Sequence, residues 1–262
     1  MQSLFYQIQP IKSIVMNLKT ETTAPKIKTL LSKGNSNAKT KKNALETFIL
    51  YLAPHTQNAK GVNLCPFASK GCIKGCLYKA GRGVFSSVQL ARINRTNYFV
   101  ENRQQFLDQL AGEIIKQYNK AKKNNTKVLF RLNGTSDIDF YSMLIKHANL
   151  DVQTLSDHAH FYEYTKNINY IRRWEGAKNI TYTFSRAEDN SSLIPAAIAY
   201  GANVSVVFHP DLPQKFMGIP VIDGDASDSL MIYNKGVILG LRAKGPAKKD
   251  TTGFVISTEL PF

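Results

Sequence analysis

The chain has 262 residues, 43% of them hydrophobic, enough to bury a substantial core as one domain with appendages. Lys and Arg total 34 against 19 acidic residues, a formal charge of +15 and a pI near 9.7, so polyanions are favoured partners and nucleic acid is one candidate. No apolar run approaches the ~20 residues that span a bilayer, and the opening residues lack a leader pattern. The expectation is therefore no membrane and a cytoplasmic location.

Residues 1–43 read as an N-terminal arm. Within it, Ser3 to Met16 fits a short strand pair, Met16 is an alternative start, and Thr20 to Lys42 is polar and linker-like. Residues 44–262 read as one domain. Thr47 to Ala53 is apolar, β-prone and closed by Pro54, which makes it the first strand. Helical spacing runs through Ser86 to Val100 and Arg103 to Lys122, where Phe106, Leu110, Ile114 and Tyr118 form one stripe. Strands follow at Lys127 to Leu132, Phe161 to Tyr164, Ile180 to Phe184, Val204 to Phe208 and Ile219 to Ile222. Helices are expected at Phe140 to His147, Ile168 to Trp174 and Ser191 to Gly201, the last ending at its glycine.

Repeated strand–loop–helix units predict an α/β fold, a partial (βα) barrel of about six mainly parallel strands. In such folds the loops after the strands gather on one face and form the site. Cys65, Asn133, Lys166, Arg186, His209 and Asp223 are predicted to converge there. Ser229 to Tyr233, Asn234-Lys235-Gly236 and Val237 to Arg242 predict a C-terminal β-hairpin. Gly253 to Ser257 is expected to add a strand, and this terminal sheet to close one end of the barrel or pair with the arm.

The chemistry concentrates in Leu64 to Tyr78. Cys65, Cys72 and Cys76 are all the cysteines of the chain, and glycines precede Cys72 and Cys76. Thiolates are soft donors suited to iron–sulfur clusters and zinc. Three of them ligate three corners of a cubane [4Fe–4S] cluster and leave one iron open to a small-molecule ligand. Zinc completed by a histidine such as His55, or reduced thiols without metal, remain open on the spacing alone.

The order Asn37-Ala38-Lys39-Thr40, the cysteine segment, Arg131-Leu132-Asn133-Gly134, Phe161-Tyr162-Glu163-Tyr164-Thr165 and Thr183-Phe184-Ser185 resembles the bacteriophage gene-product-88-like family. The resemblance implies a phage-encoded protein acting in the cytoplasm of the infected host cell. A first strand, a three-cysteine loop and (βα) repeats are also similar in architecture to the partial barrel of radical S-adenosylmethionine (SAM) enzymes. That similarity implies SAM at the open iron, with Asn133, Gly134, Ser136, Asp137, Lys166, Ser185 and Arg186 around it. The superfamily mostly spaces its cysteines with gaps of three and two, whereas the gaps here are six and three. Two functions are carried forward: an iron–sulfur enzyme of unassigned reaction, and a metal-stabilised nucleic-acid-binding protein without catalysis.

Overall fold

The expected apolar runs become the strands of a computed structural model that describes residues 27–36, 40 and 45–259. The strand pair expected at Ser3 to Met16 lies outside the described residues. Seven strands form the parallel centre: β2 (Glu46–Leu50), β3 (Val128–Arg131), β4 (Ala159–Thr165), β5 (Ile180–Ser185), β6 (Asn203–His209), β8 (Ile219–Asp223) and β9 (Ile238–Arg242). Antiparallel β1 (Leu31–Lys33) and β7 (Lys215–Phe216) lie at the edges, so the order is β1-β2-β3-β4-β5-β6-β9-β8-β7. The short β10 (Val255–Ser257) pairs parallel with β6. This is a ten-stranded, mostly parallel sheet that does not close into a barrel.

Strand alternation divides the sheet into two unlike faces. One carries Phe48, Leu50, Val128, Phe130, Phe161, Phe184, Val204, Val206 and Phe208 in the main core. Against it pack α2 (Ser86–Glu101), α3 (Arg103–Lys123), α4 (Phe140–Ala148), α5 (Ile168–Arg173) and α6 (Ile194–Ala199). The stripe expected on α3 is real: Phe106, Leu110 and Ile114 are fully buried. The other face holds a small cluster of Leu129, Tyr162, Leu239 and Met231, the last from α7 (Leu230–Tyr233).

The expected hairpin is not formed. Leu230 to Tyr233 coils into one helical turn, and β9 inserts between β6 and β8, parallel to both. A short apolar run does not distinguish strand from helix by its pattern. Tertiary contacts decide here: Asp228 is buried against Arg131 and Tyr162, and Met231 packs beside them. Asn234 to Gly236 does turn the chain, with Gly236 at φ +68°, but between a helix and a parallel strand. The terminal strand likewise does not close a barrel, and it pairs with β6 rather than with the described part of the arm. The described part of the arm joins the sheet instead, as β1 pairs with β2 and Glu113 accepts from Leu30 N and Leu31 N.

Candidate functional site at the cysteine loop

After β2 the chain runs out to the carboxyl ends of the strands and folds the cysteine segment there. Asn63 caps the entry, its Oδ1 accepting from Cys65 N at 2.8 Å. Ser69 is the N-cap of α1 (Lys70–Lys74), with its Oγ accepting from Cys72 N at 3.1 Å. Gly75 ends that turn, and Cys76 opens a 3-10 turn over Leu77–Lys79.

The three thiols are free, half-buried and close enough to act on one another. Burial pushes Cys65 up to about 12, with the neighbouring Cys76, Asp137 and Cys72 adding to it, against one opposing hydrogen bond from His55. Burial also raises Cys76, opposed by a backbone hydrogen bond from Tyr78 and by the charges of Arg92 and Lys166. His55 therefore approaches Cys65 through its backbone, N to Sγ at 3.4 Å, while its ring pairs with Thr56 Oγ1. Among the described residues, no three His, Cys, Asp or Glu side chains are gathered as the ligands of a single metal ion.

The loop after β3 lies directly against the cysteines. Cys65 Sγ approaches Thr135 O at 3.7 Å, and Asp137 N donates to Leu64 O at 2.9 Å. Gly134 permits this approach, since a Cβ there would lie 2.7 Å from both Ile49 Cγ2 and Tyr51 Cδ1. Asn133 is engaged within its own loop: Oδ1 accepts from Ser136 Oγ and Ile138 N, and Nδ2 donates to Ile138 O. Asp137 ties this loop to the next, accepting from Thr165 Oγ1 at 2.7 Å and Lys166 N at 2.8 Å. Burial holds Asp137 above the usual carboxylate range despite those donors.

Lys166 Nζ donates to Ser185 Oγ at 2.9 Å, which extends the chain of contacts to the tip of β5. Arg186 is taken up by the segment that packs against the cysteine helix, with Nη1 donating to Gly253 O and Phe254 O and Nε to Ser191 Oγ. His209 and Asp223 sit at the tips of β6 and β8. Asp223 is occupied by Arg242 at 2.9 Å, and the His209 carbonyl accepts from Thr258 N. Of the six predicted tips, the contacts join those carrying Cys65, Asn133, Lys166 and, by way of Ser185, Arg186.

Several site residues escaped the sequence reading. Glu188 clamps the cysteine helix, accepting from Ser69 Oγ at 2.6 Å and Gly71 N at 2.7 Å. Burial opposes its charge, but those two donors outweigh burial and hold it below the usual range. Arg92 on α2 is a buried cation near Cys76, 4.9 Å from the Tyr51 ring centre and 5.8 Å from that of Tyr78. Its spacing with buried Thr96 and Phe99 was visible, but a cation on that stripe reads as surface. On the sheet face opposite α2–α6, Arg131 pairs with Asp228 at 3.3 Å and covers the Tyr164 ring. Beside this pair, Arg131 Nε, Tyr164 OH, Thr183 Oγ1 and Asp228 Oδ1 are buried without a hydrogen-bond partner.

The sequence model of the Gene product 88 family matches residues 29–258, which include every residue of this site. The chain belongs to that family. No curated protein and no solved structure matches it. No helix among the described residues is long and apolar enough to cross a membrane.

Proposed function

We propose that this Gene product 88 family member is a phage iron–sulfur protein, working in the cytoplasm of the infected host. In this reading Cys65, Cys72 and Cys76 hold three corners of a [4Fe–4S] cluster. The observation that carries it is the presence of all three cysteines in one capped loop at the strands' carboxyl ends, with His55 N and Tyr78 N turned onto two of the sulfurs. Amide donors to thiolate sulfur are among the contacts that tune cluster sites. The donor set fits the group: soft sulfurs, with two cations close by in Arg92 and Lys166, match an anionic sulfur-ligated core. Bound there, the cluster supplies an exchangeable iron that takes a small ligand as a Lewis acid or passes it an electron.

The protein's own residues supply the surroundings. Glu188 and Ser69 fix the loop, and Asp137 locks the β3 and β4 tips together beside Cys65. Lys166 and Ser185 present polar groups next to the cysteines. Buried, unpartnered groups on Arg131, Tyr164 and Thr183 leave hydrogen-bonding capacity for a polar substrate on the sheet face opposite α2–α6. SAM is one such ligand, with Asn133, Gly134, Ser136 and Asp137 shaping the loop beside it. Anaerobic reconstitution should give a brown protein with close to four irons per chain, lost in Cys65→Ala, Cys72→Ala or Cys76→Ala. The EPR signal of the reduced cluster should change when SAM or another small ligand is added. One stoichiometric zinc, stable in air, would sink the reading.

The charge of +15 supports a second reading, a metal-stabilised nucleic-acid-binding protein without catalysis. Iron loading with an EPR spectrum indifferent to every small ligand, together with salt-sensitive binding of DNA or RNA, favours that alternative.

A further inference from the structure

Arg92 is the one buried cation beside the cysteines that faces no described carboxylate. The side chain is only 9% exposed, and neither Nε nor Nη1 has a hydrogen-bond acceptor. Its titratable neighbours are the Tyr51 and Tyr78 phenols and the Cys76 thiol. Its neighbour Arg95, one turn along α2, does have a carboxylate in range, that of Glu113. Lys166 has Ser185 and lies within range of Asp137. A guanidinium enclosed by two phenol rings and lacking an acceptor is a costly burial unless an anion completes it.

The backbone shows that this position is built. Arg92, Thr96 and Phe99 are the buried residues of α2. Thr96 Oγ1 donates to Arg92 O and accepts from Ala53 N at 2.8 Å, which pins this turn of the helix to the segment just after β2. Tyr51 precedes that anchor by two residues, and Tyr78 follows Cys76 by two. The guanidinium is therefore placed by both segments that frame the cysteine loop.

We propose that Arg92 is the receptor for a carboxylate on the small molecule this site takes. A guanidinium between aromatic walls with Nε and Nη1 both open suits a carboxylate, whose two oxygens accept charge-assisted N–H···O bonds from those donors. The anion site stands on Arg92 and its neighbours alone. Its placement of the ligand next to an exchangeable iron rests on the iron–sulfur reading above.

The test uses the full-length chain, first without cluster and then reconstituted. The Arg92 Nε–H signal, identified by its loss in Arg92→Lys, is followed by NMR during titration with sodium acetate against equal sodium chloride. Acetate should move the signal saturably and chloride should not. Arg92→Gln should weaken acetate binding by about tenfold or more, measured on protein whose backbone spectrum shows it folded. In reconstituted protein, acetate should perturb the reduced EPR signal of wild type and leave that of Arg92→Gln unchanged. An Arg92 signal indifferent to acetate overturns the proposal even where four irons load normally. Tighter binding of inorganic phosphate than of acetate overturns the carboxylate assignment. Saturable acetate binding at Arg92 in a chain that never loads iron supports the proposal and removes the cluster reading.

Discussion

Ser69 is held by Glu188: its hydroxyl donates to Oε2 at 2.6 Å while accepting from Cys72 N at 3.1 Å. A carboxylate from the loop after β5 thereby positions the backbone of a cysteine more than a hundred residues earlier. In Glu188→Ala, Ser69 Oγ and Gly71 N lose their acceptor. Stability should fall by about 1–2 kcal/mol in urea titrations. Amide exchange at Gly71 and Cys72 should quicken far more than elsewhere. Uniform acceleration across the protein would mean that Glu188 supports the whole fold rather than the loop.

Gly71 sits where no side chain fits. A Cβ there would lie 2.2 Å from Thr252 Oγ1 and 2.4 Å from Phe254 Cβ. Gly71→Ala must displace residues 252–254 and should cost about 1–3 kcal/mol. Proteases should then cut near residue 250 sooner than in wild type. Unchanged stability and an unchanged cleavage pattern count against this packing.

Metal loading should be proton-coupled. Burial pushes Cys65 up to about 12 and raises Cys76, so both thiols carry protons at neutral pH and must release them to bind metal. Lower pH therefore opposes loading and higher pH favours it. Cobalt(II) titrated into cluster-free protein in weak buffer should release about two protons or more per chain. Cys65→Ala should release fewer. Affinity independent of pH from 6 to 8 is the contrary result.

Two buried groups give opposing pH slopes. Burial raises Glu163 to about 7, although Arg131 and donors from Leu132 N, Asn133 N and Tyr141 pull the other way. Its raised folded value means stability is fullest below pH ~4.5 and falls as pH rises through about 7, by on the order of 3 kcal/mol. Burial, with Lys127 assisting, lowers His160 to about 4, so its contribution is fullest above pH ~6.5 and is lost as pH falls. The two offset each other between pH 4.5 and 6.5. In Glu163→Gln, stability should rise with pH across that window. In His160→Gln, it should fall. Urea midpoints measured at half-unit pH steps check both, and matching profiles in wild type and Glu163→Gln contradict the assignment.

The basic clusters lie at opposite ends of the sheet. Exposed Lys122 and Lys123 precede the start of β3, whereas exposed Lys248 and Lys249 follow the end of β9 near the cysteine helix. If nucleic acid is drawn to the cysteine end, replacing Lys248 and Lys249 should lower the log–log salt slope by about 0.9 for each duplex phosphate left unneutralised. Replacing Lys122 and Lys123 should leave the slope unaltered. No binding at low salt to any DNA or RNA removes this partner class.

Strand runs with their polar tips were legible because a parallel sheet writes them as repeated apolar blocks, and β2 to β6 fell where the blocks lie. The cysteine loop and its contact with the Asn133 loop were legible for the same reason. Long-range polar pairs were not. Asp228 finds Arg131 across 97 residues, and that contact helps turn an expected strand into α7. Arg92 was hidden because charge in a helix normally signals solvent. The partners of Arg186 were not legible either, because a tip position does not reveal that its guanidinium reaches Gly253 and Phe254.

The cysteine loop is walled by residues that follow it by more than 150 positions. Phe254 and Thr252 press on Gly71, Ala247 on Gly75, and β10 takes the length of β6 beyond β5. On the ribosome, the cysteines emerge while these walls are still unmade. A nascent chain exposes its thiols while more than 150 further residues are added and encloses them only once residues 247–254 have emerged. Cofactor delivery before that moment meets an open loop, and delivery afterwards meets a built one.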